Sequence, residues 1–329
     1  MYFENTKQPT ENINLQSNNI RLSILNNEKI EEKLHVICVL SNPCHYKRRI
    51  KLAEEFISRM EMEEDIILYV VELAYNNDNY ELTDKLNPRH LQLKASTILW
   101  HKENMINIGI KKLLPHDWKA VAWVDADIEF DGPYWANNAL KLLNGSYDVL
   151  QLFSHCIDMD NTKEAMNIFT SFCYKVVKGE QMHLKGINFA HPGFAWAITR
   201  KAYEKIGGLY ENAILGSADN IMAHAFINKS STTIHNNSND GYKNDIKTYT
   251  ENANKLRLGY VPTIIRHYYH GSKINRKYND RWRILLKHDY NPKTFLEKRD
   301  DIICSNDAQF SNELKEELIN YFRERKEDE

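Results

Sequence analysis

Short apolar runs separated by amphipathic stretches dominate the chain from residue 34 onward, and they restrict its fold more than any other feature. The runs lie at 34–40, 66–73, 120–124, 148–153, 193–198 and 260–270. Helical periodicity fills several of the intervals, for example at 46–60 and 135–143. Strands that alternate with helices favour an α/β fold with a mainly parallel sheet flanked by helices. Ligands of such sheets bind outside the carboxyl ends of the strands, so the residues that follow each run are the candidate site.

The patterning also divides the chain into segments. Residues 1–33 are rich in Asn, Glu and Gln and predict an N-terminal extension, 34–278 forms the main domain, and 279–329 predicts a C-terminal helical segment. Ser96 or Thr97 is the expected N-cap of the helix after the second run, and Thr199 and Ser217 are expected to cap two later helices. The polar stretch 228–256 predicts a mobile loop.

Composition excludes several classes of protein. The 43 Lys and Arg residues are matched by 45 Asp and Glu, and a net charge of −2 argues against a protein that coats nucleic acid or an anionic membrane. No apolar run reaches the roughly 18 residues of a transmembrane helix, and the first residues lack the layout of a secretory signal. Five widely spaced cysteines without CxxC pairs indicate reduced thiols, so a cytoplasmic location is expected.

The sharpest motif is Asp125-Ala126-Asp127, directly after the apolar run 120–124. Side chains alternate along a strand, so the two carboxylates are expected to point the same way. Like charges at that spacing repel unless a cation lies between them, which indicates Mn²⁺ or Mg²⁺ with a bound phosphate group. The alternative interpretation is a solvated acidic turn, since a bare D-x-D is common.

A second motif follows the last apolar run. His267 or His270 is expected to complete the metal shell, with His270 slightly favoured because it lies nearer the strand end. Gly271 permits close backbone approach to a phosphate. Lys273 and Arg276 are placed to neutralise a departing diphosphate. Read in isolation, the same residues also fit a surface of stacked rings beside a solvated basic turn.

The third segment is 191–226. Asp219 falls in the first turn of a predicted helix, where the dipole favours the ionised carboxylate, and it is a candidate general base toward an acceptor hydroxyl. Simple capping of the helix is the alternative role. Gly193 and Trp196 are candidates for a pocket floor under a sugar, with a place in the core as the alternative.

In this order, the three segments resemble the GT-A fold glycosyltransferases that use nucleotide-diphospho-sugars, most nearly the inverting family 2 enzymes and the galactosyltransferase group. The resemblance rests on strand-D-x-D, the strand with Gly193 and Trp196 followed by K-I-G-G-L, the acidic helix start and the late histidine. It spans about residues 34–278. The chain departs from the pattern at Ala218-Asp219, where many relatives have Glu-Asp.

The resemblance implies a GT-A catalytic domain, a divalent metal and a nucleotide-sugar donor, most often a UDP-sugar. It implies that residues at the ends of the first two strands face the nucleoside, namely Ser41, Asn42, Pro43 and Glu72. Lys102 or Asn104 would reach the base or the diphosphate, and Asp125 would contribute to the donor site as well as to the metal. Asp219 would act as base for inversion, or would position a substrate if the reaction retains configuration.

The sequence therefore predicts a metal-dependent glycosyltransferase with an acceptor that stays open among glycan, protein, lipid, small molecule and modified nucleic acid. A sugar nucleotidyltransferase is the first alternative, although the segment 41–49 lacks the glycine-rich loop such enzymes carry. Hydrolases and nucleases with paired acids are a further possibility. A non-catalytic module that binds a glycan or a partner on a degenerate GT-A fold is the alternative from another class.

Overall fold

A computed structural model describes residues 19–180, 190–276 and 281–329. Its strands are β1 Leu34–Ser41, β2 Ile66–Tyr75, β3 His90–Ala95, β4 Ala120–Val124, β5 Ile128–Phe130, β6 Val149–Gln151, β7 His155–Met159, β8 Ala165–Ser171, β9 Ala190–His191, β10 Ala195–Thr199, β11 Leu258–Tyr260, β12 Ile264–His267, β13 Leu296–Arg299 and β14 Ile302–Ser305. Counted from the start of the sheet, its helices are α1 Lys47–Glu61, α2 Lys102–Leu113, α3 Trp135–Leu143, α4 Phe172–Lys178, α5 Arg200–Ile206, α6 Ala218–Phe226, α7 Asp240–Ala253, α8 Arg281–Lys287, α9 Pro292–Phe295 and α10 Asn312–Arg323.

The central sheet has seven strands in the order β11-β6-β10-β4-β1-β2-β3. Strands β4, β1, β2 and β3 run parallel, as do β11 and β6, while β10 is antiparallel to both of its neighbours. Alternate residues of β1 enter different cores, with Ile37 on one face of the sheet and Val36 and Cys38 on the other. A strand buried on both faces reads as a continuous apolar run. The predicted α/β class with a mainly parallel sheet is confirmed.

A second sheet, in the order β5-β12-β7-β8-β9, lies beyond the carboxyl end of β4. Strand β12 pairs with β5 on one side and with β7 on the other, which sets His267 opposite both Ile128 and Asp158. The backbone N–H of Tyr268 also donates to the carbonyl oxygen of Asp127 at 2.8 Å. This pairing brings residues from three distant parts of the sequence to one place.

The stretch 228–256, predicted to be a mobile loop, instead contains α7. Its buried side chains Tyr242, Ile246, Tyr249 and Ala253 form one stripe at helical spacing. Asn239 caps the helix by accepting from the N–H of Gly241 at 2.7 Å. The prediction was wrong because the many polar residues of the solvent face hid the apolar stripe.

Predicted helix starts are partly confirmed. Thr199 caps α5 by accepting from the N–H of Ala202, and Gly207 ends that helix in the left-handed region. Ser217 precedes α6 as predicted but makes no side-chain cap. The expected cap at Ser96 or Thr97 is wrong, because α2 begins only at Lys102.

The segment after 278 is more than a helical tail. It includes the strand pair β13–β14, and its buried residues Tyr290, Phe310 and Leu318 belong to the same apolar core as one face of the central sheet. The last helix ends at Arg323, and residues 324–329 continue beyond it in a non-helical path.

Candidate functional site

Asp127, His267 and His270 converge at the junction of the two sheets. The carboxylate Oδ2 of Asp127 lies 2.9 Å from Nε2 of His270 and 3.8 Å from Nε2 of His267. The two histidine Nε2 atoms are 3.3 Å apart. Both rings are buried, at 3% and 8% exposure. Three potential ligand atoms thus face one another within a space that matches a single cation.

Hydrogen bonding fixes where the ring protons are. The Asp158 carboxylate accepts from Nδ1 of His267 at 2.7 Å, so in the neutral ring Nε2 of His267 carries a lone pair. The guanidinium of Arg276, which can only donate, lies 2.7 Å from Nε2 of His270, so this nitrogen also presents a lone pair. A lone pair on Nε2 of His267 and a carboxylate oxygen of Asp127 therefore face one centre, and Nε2 of His270 lies beside them with its lone pair accepting from Arg276, a hydrogen bond that a metal ion would replace.

Such a centre is unfavourable without a cation and suits a divalent metal. Ligand atoms about 2.1 Å from one ion lie roughly 3.0–3.4 Å from one another, close to the separations between Asp127, His267 and His270. The second carboxylate oxygen of Asp127, Oδ1, is buried and has no hydrogen-bond partner among the described residues. One carboxylate with two imidazoles is a donor set that Mn²⁺ and other first-row ions accept more readily than Mg²⁺ does. The residues present fit a metal ion.

The electrostatics of the cluster agree with this assignment. Burial alone would raise the pKa of Asp127, but the neighbouring His270 and His267 hold it well below its usual range. Burial lowers the pKa of His267, although the hydrogen bond that the ring donates to Asp158 opposes the shift. The Asp127 carboxylate is therefore ionised, which is the state in which it binds a metal.

Asp158 was missed from the sequence. It is 1% exposed on β7 and backs His267 in the carboxylate–histidine arrangement that orients metal ligands. It also forms an ion pair with Lys273. The segment around it has no regular pattern, so nothing in the sequence singles out this aspartate.

Asp125 does not join the ligand cluster. The strand β4 ends at Val124, so side-chain alternation no longer applies to the two aspartates, and the Asp125 carboxylate forms an ion pair with Lys102 instead. Burial raises the pKa of Asp125 in spite of this partner, and the like charge of Asp127 adds to the shift. The structure therefore pairs Asp125 with Lys102 and sets it outside the ligand cluster, and its share in the metal site stays a prediction.

Asp219 lies close to this pair, at the start of α6. It is among the charges that raise the pKa of Lys102 against the effect of burial, together with Asp125 and Glu103. A Cβ built on Gly193 would come within 2.8 Å of Oδ2 of Asp219, so the glycine is what allows the carboxylate its position. Glu103, a further residue missed from the sequence, has its pKa raised to about 8 by burial.

Backbone strain occurs beside the cluster. Phe194 has φ of 77°, a left-handed conformation that bulky residues rarely adopt. Its carbonyl accepts from the N–H of Asp125 at 2.8 Å, and its ring stacks on His191 and contacts His267 at a centroid distance of 4.7 Å. Strain of this kind is characteristic of functional sites, and here it places an aromatic wall against one metal-ligand candidate.

Two expected site residues belong to the protein interior. Trp196 is 3% exposed, donates to the carbonyl of Pro192 at 2.9 Å and stacks on Trp123, so it is a core residue and not a sugar platform. Asn104 is 2% exposed and is held by Glu211 and by the backbone of Asp301 and Ile303. The structure thus gives Asn104 a role in holding the protein interior together, and its contact with a nucleotide stays a prediction.

The residues predicted to face a nucleoside lie at the carboxyl ends of β1 and β2. Asn42 and Glu72 line the same small pocket, and Ser41, Asn42 and Pro43 are half-buried. The Glu72 carboxylate accepts from the backbone N–H of residues 81–83 and from the Thr83 hydroxyl at 2.6–3.1 Å, so it fixes the loop that follows β2. Their contact with a nucleoside stays a prediction.

Lys273 and Arg276 lie beside the histidines, as the sequence suggests. Together with His267, His270 and Asp158 they line a cavity of about 200 Å³, which also has Met159 and Met166 in its wall. Gly271, which follows His270 directly, has φ of 91° and lines the same cavity. Positive charge, a candidate metal centre and open volume thus occur together.

Comparison with known proteins gives only distant likenesses. No protein-family model matches the chain, and no curated protein matches it. The catalytic domain of Drosophila β1,4-galactosyltransferase 7 in complex with xylobiose is 9% identical, covers 84% of this chain and 92% of its own, and has a TM-score of 0.35. A mutant of that enzyme in complex with manganese, UDP-Gal and xylobiose is 10% identical; the match covers 83% of this chain and 92% of that one, with a TM-score of 0.37. Residues 1–349 of S. aureus TarS are 12% identical; the match covers 89% of this chain and 71% of that one, with a TM-score of 0.38.

Identities and TM-scores this low carry no functional information, so what this chain does depends on the chemistry of its own site. Among the described residues, no helix combines the length and apolar character needed to cross a membrane.

Proposed function

We propose that the protein is a metal-dependent glycosyltransferase that moves a sugar from a nucleotide-diphosphate sugar to an acceptor hydroxyl. The observation that carries the proposal is the convergence of Asp127, His267 and His270 on one centre, where their potential ligand atoms face one another. A UDP-sugar is the donor implied by the sequence resemblance. The donor set of two imidazoles and one carboxylate favours Mn²⁺ over Mg²⁺.

The reaction requires stabilisation of a departing nucleoside diphosphate. A divalent ion supplies Lewis-acid stabilisation of the diphosphate when bound. Lys273 and Arg276 supply fixed positive charge at the rim of the same cavity. As the bond from the anomeric carbon to the diphosphate oxygen breaks, the electron pair leaves with the diphosphate, and these cations lie where that charge develops.

Asp219 is the proposed general base. The acceptor oxygen forms a bond to the anomeric carbon while its proton passes to the Asp219 carboxylate, which gives inversion in a single displacement. Gly193 supports this role because it leaves room for the carboxylate near the candidate metal centre. The ion pair between Lys102 and Asp125 supplies a fixed polar wall next to it.

The test is nucleotide release from a panel of UDP-, GDP-, CMP- and dTDP-sugars, with Mn²⁺ or with a chelator. We expect turnover of one donor that needs the metal and is lost in Asp127→Asn. The matched control is Asp131→Asn, since Asp131 follows the next strand, β5, and pairs with Arg266 outside the cluster. Absence of turnover together with absence of donor binding by calorimetry would contradict the proposal and favour a non-catalytic binding module.

A further inference from the structure

The segment 324–329 runs from the end of α10 to the candidate metal centre and buries a carboxylate there. Glu327 is 1% exposed. Its carboxylate accepts from Nε of Arg49 at 2.9 Å and from Nε of Arg325 at 2.7 Å. A buried carboxylate between two guanidiniums is ionised and held in one orientation.

The segment is docked by contacts that do not involve Glu327. The Tyr46 hydroxyl donates to the carbonyl of Phe322 at 2.9 Å and accepts from the N–H of Lys326 at 3.1 Å. Asp328 accepts from the first backbone N–H groups of α1, at 3.1 Å from Lys47 and 2.8 Å from Arg48. These contacts fix the path of the chain on both sides of residue 327.

The same segment packs against the loop that carries the second histidine. A Cβ on Gly271 would lie 3.0 Å from Cα of Glu327 and 3.1 Å from the carbonyl oxygen of Arg325, so only glycine permits this approach. Oε2 of Glu327 lies 3.7 Å from Nδ1 of His270. Because Arg276 donates to Nε2 of that ring, the proton of the neutral ring is on Nδ1 and faces Glu327.

Each histidine has a buried carboxylate on its Nδ1 side, at 2.7 Å between His267 and Asp158 and at 3.7 Å between His270 and Glu327. Asp158 stands behind Nδ1 of His267, and Glu327 stands behind Nδ1 of His270, while both Nε2 atoms face Asp127. Carboxylates in this place fix the tautomer and the ring orientation of a metal ligand, and their loss weakens metal binding about 10- to 100-fold.

We propose that Glu327 is a positioning residue of the metal centre, which holds the His270 ring so that its Nε2 faces Asp127 and His267. The segment 324–329 is then part of the active site and not an appendage. This inference rests on the proposed metal site. It assigns a task to a residue about 200 positions away in sequence from the Asp-x-Asp motif.

The test measures binding of Mn²⁺ alone to the full chain by calorimetry, with no sugar donor present. Glu327→Gln keeps the shape of the side chain and an oxygen for the arginines, and we expect the dissociation constant to rise about tenfold or more. Asp158→Asn is expected to give a loss of similar size. Glu329→Gln is the matched control, because that carboxylate is exposed and pairs only with Lys326 among the described residues; it is expected to bind as the wild type does.

A spectroscopic readout separates positioning from general structural damage. The visible absorption of Co²⁺ in the site reports its ligands, and we expect it to change in Glu327→Gln and to stay unchanged in Glu329→Gln. Asp328→Asn loosens the docking of the segment without touching His270. If Asp328→Asn and Glu327→Gln weaken Mn²⁺ binding equally, docking and not the Glu327 carboxylate is responsible, and the inference is overturned.

Wild-type affinity and an unchanged Co²⁺ spectrum in Glu327→Gln would also overturn it. Should that variant fail to fold, Glu327→Asp retains the charge for Arg49 and Arg325 but withdraws it from His270 by one methylene, and weaker Mn²⁺ binding is again expected. Failure of the wild type itself to bind Mn²⁺ would remove the proposed metal site along with this inference. That outcome differs from wild-type binding that Glu327 does not affect.

Discussion

Replacing Gly193 with alanine tests whether catalysis depends on where the Asp219 carboxylate stands. The added Cβ would lie 2.8 Å from Oδ2 of Asp219 and 2.9 Å from Cε1 of His191, whereas an ordinary contact begins at 3.4 Å. Both side chains must therefore move, the Asp219 carboxylate by about 0.6 Å and the His191 ring by about 0.5 Å. Because the Asp219 oxygen is at the end of a rotatable side chain, we expect the carboxylate to turn away.

The displacement fixes the size of the expected effect. A misplacement of about 1 Å in a reacting group costs roughly 100-fold in rate, so a shift of about 0.6 Å predicts a loss of roughly tenfold in kcat. Complete removal of the base in Asp219→Asn sets the upper limit, at about 10²- to 10⁴-fold. We expect a loss of stability of about 1–3 kcal/mol from the overpacking at His191, partly offset by the lower entropy of the unfolded chain.

The assay is metal-dependent nucleotide release from the preferred donor, measured for the two single variants and for the double variant. If both changes act through the same carboxylate, the double variant should be no slower than Asp219→Asn. Mn²⁺ binding by Gly193→Ala serves as the internal control and should match the wild type. Wild-type kcat in Gly193→Ala, or additive losses in the double variant, would refute the assignment of Asp219 as base.

Two further predictions concern regions outside the reacting groups. In the ligand-free protein, amide exchange should be strongly protected through Asp240–Ala253; unprotected amides in the helix would contradict its packing. His101 is buried, and burial lowers its pKa from 6.5 to about 4. As the pH falls, the unfolded chain is therefore protonated at this residue before the folded chain is. Stability is therefore lost as the pH falls below about 6.5, by roughly 2 kcal/mol between pH 7 and pH 5 for this group. In His101→Gln, the free energy of unfolding measured in urea should fall by correspondingly less between pH 7 and pH 5. If the variant and the wild type lose the same stability over this range, His101 is not the source of the pH dependence.

The fold was predictable where burial on both faces of the sheet forces an apolar run. Strand β1 is such a case, since Val36, Ile37 and Cys38 enter two different cores and all three must be apolar. Positions after these runs then identify candidate ligands without knowledge of the tertiary structure. Asp127 after β4 and His267 at the end of β12 were found in this way, and the structure brings them together.

The remaining site residues depend on contacts that no local pattern encodes. Asp158 acquires its role from the register of β7 with β12, and Glu327 from a segment that folds back from α10. The pairing of Lys102 with Asp125 depends on the packing of α2 beside the end of β4. Each partner looks like an ordinary charged residue in the sequence, because its meaning comes from a neighbour that is distant along the chain.

The ligand cluster in the structure has one carboxylate and two imidazoles, whereas the sequence predicted two carboxylates and one imidazole. This difference affects the proposed chemistry. Two aspartates with one histidine would neutralise a divalent ion, whereas Asp127 with His267 and His270 leaves a net charge of +1 on the liganded ion. Asp125, bound to Lys102, does not offset this excess. A centre of that charge attracts a diphosphate more strongly and polarises it further, since the ion is the largest local charge. Asp158 and Glu327, the buried carboxylates on the Nδ1 sides of the two rings, then partly balance this charge and act on the metal through the histidines that they orient.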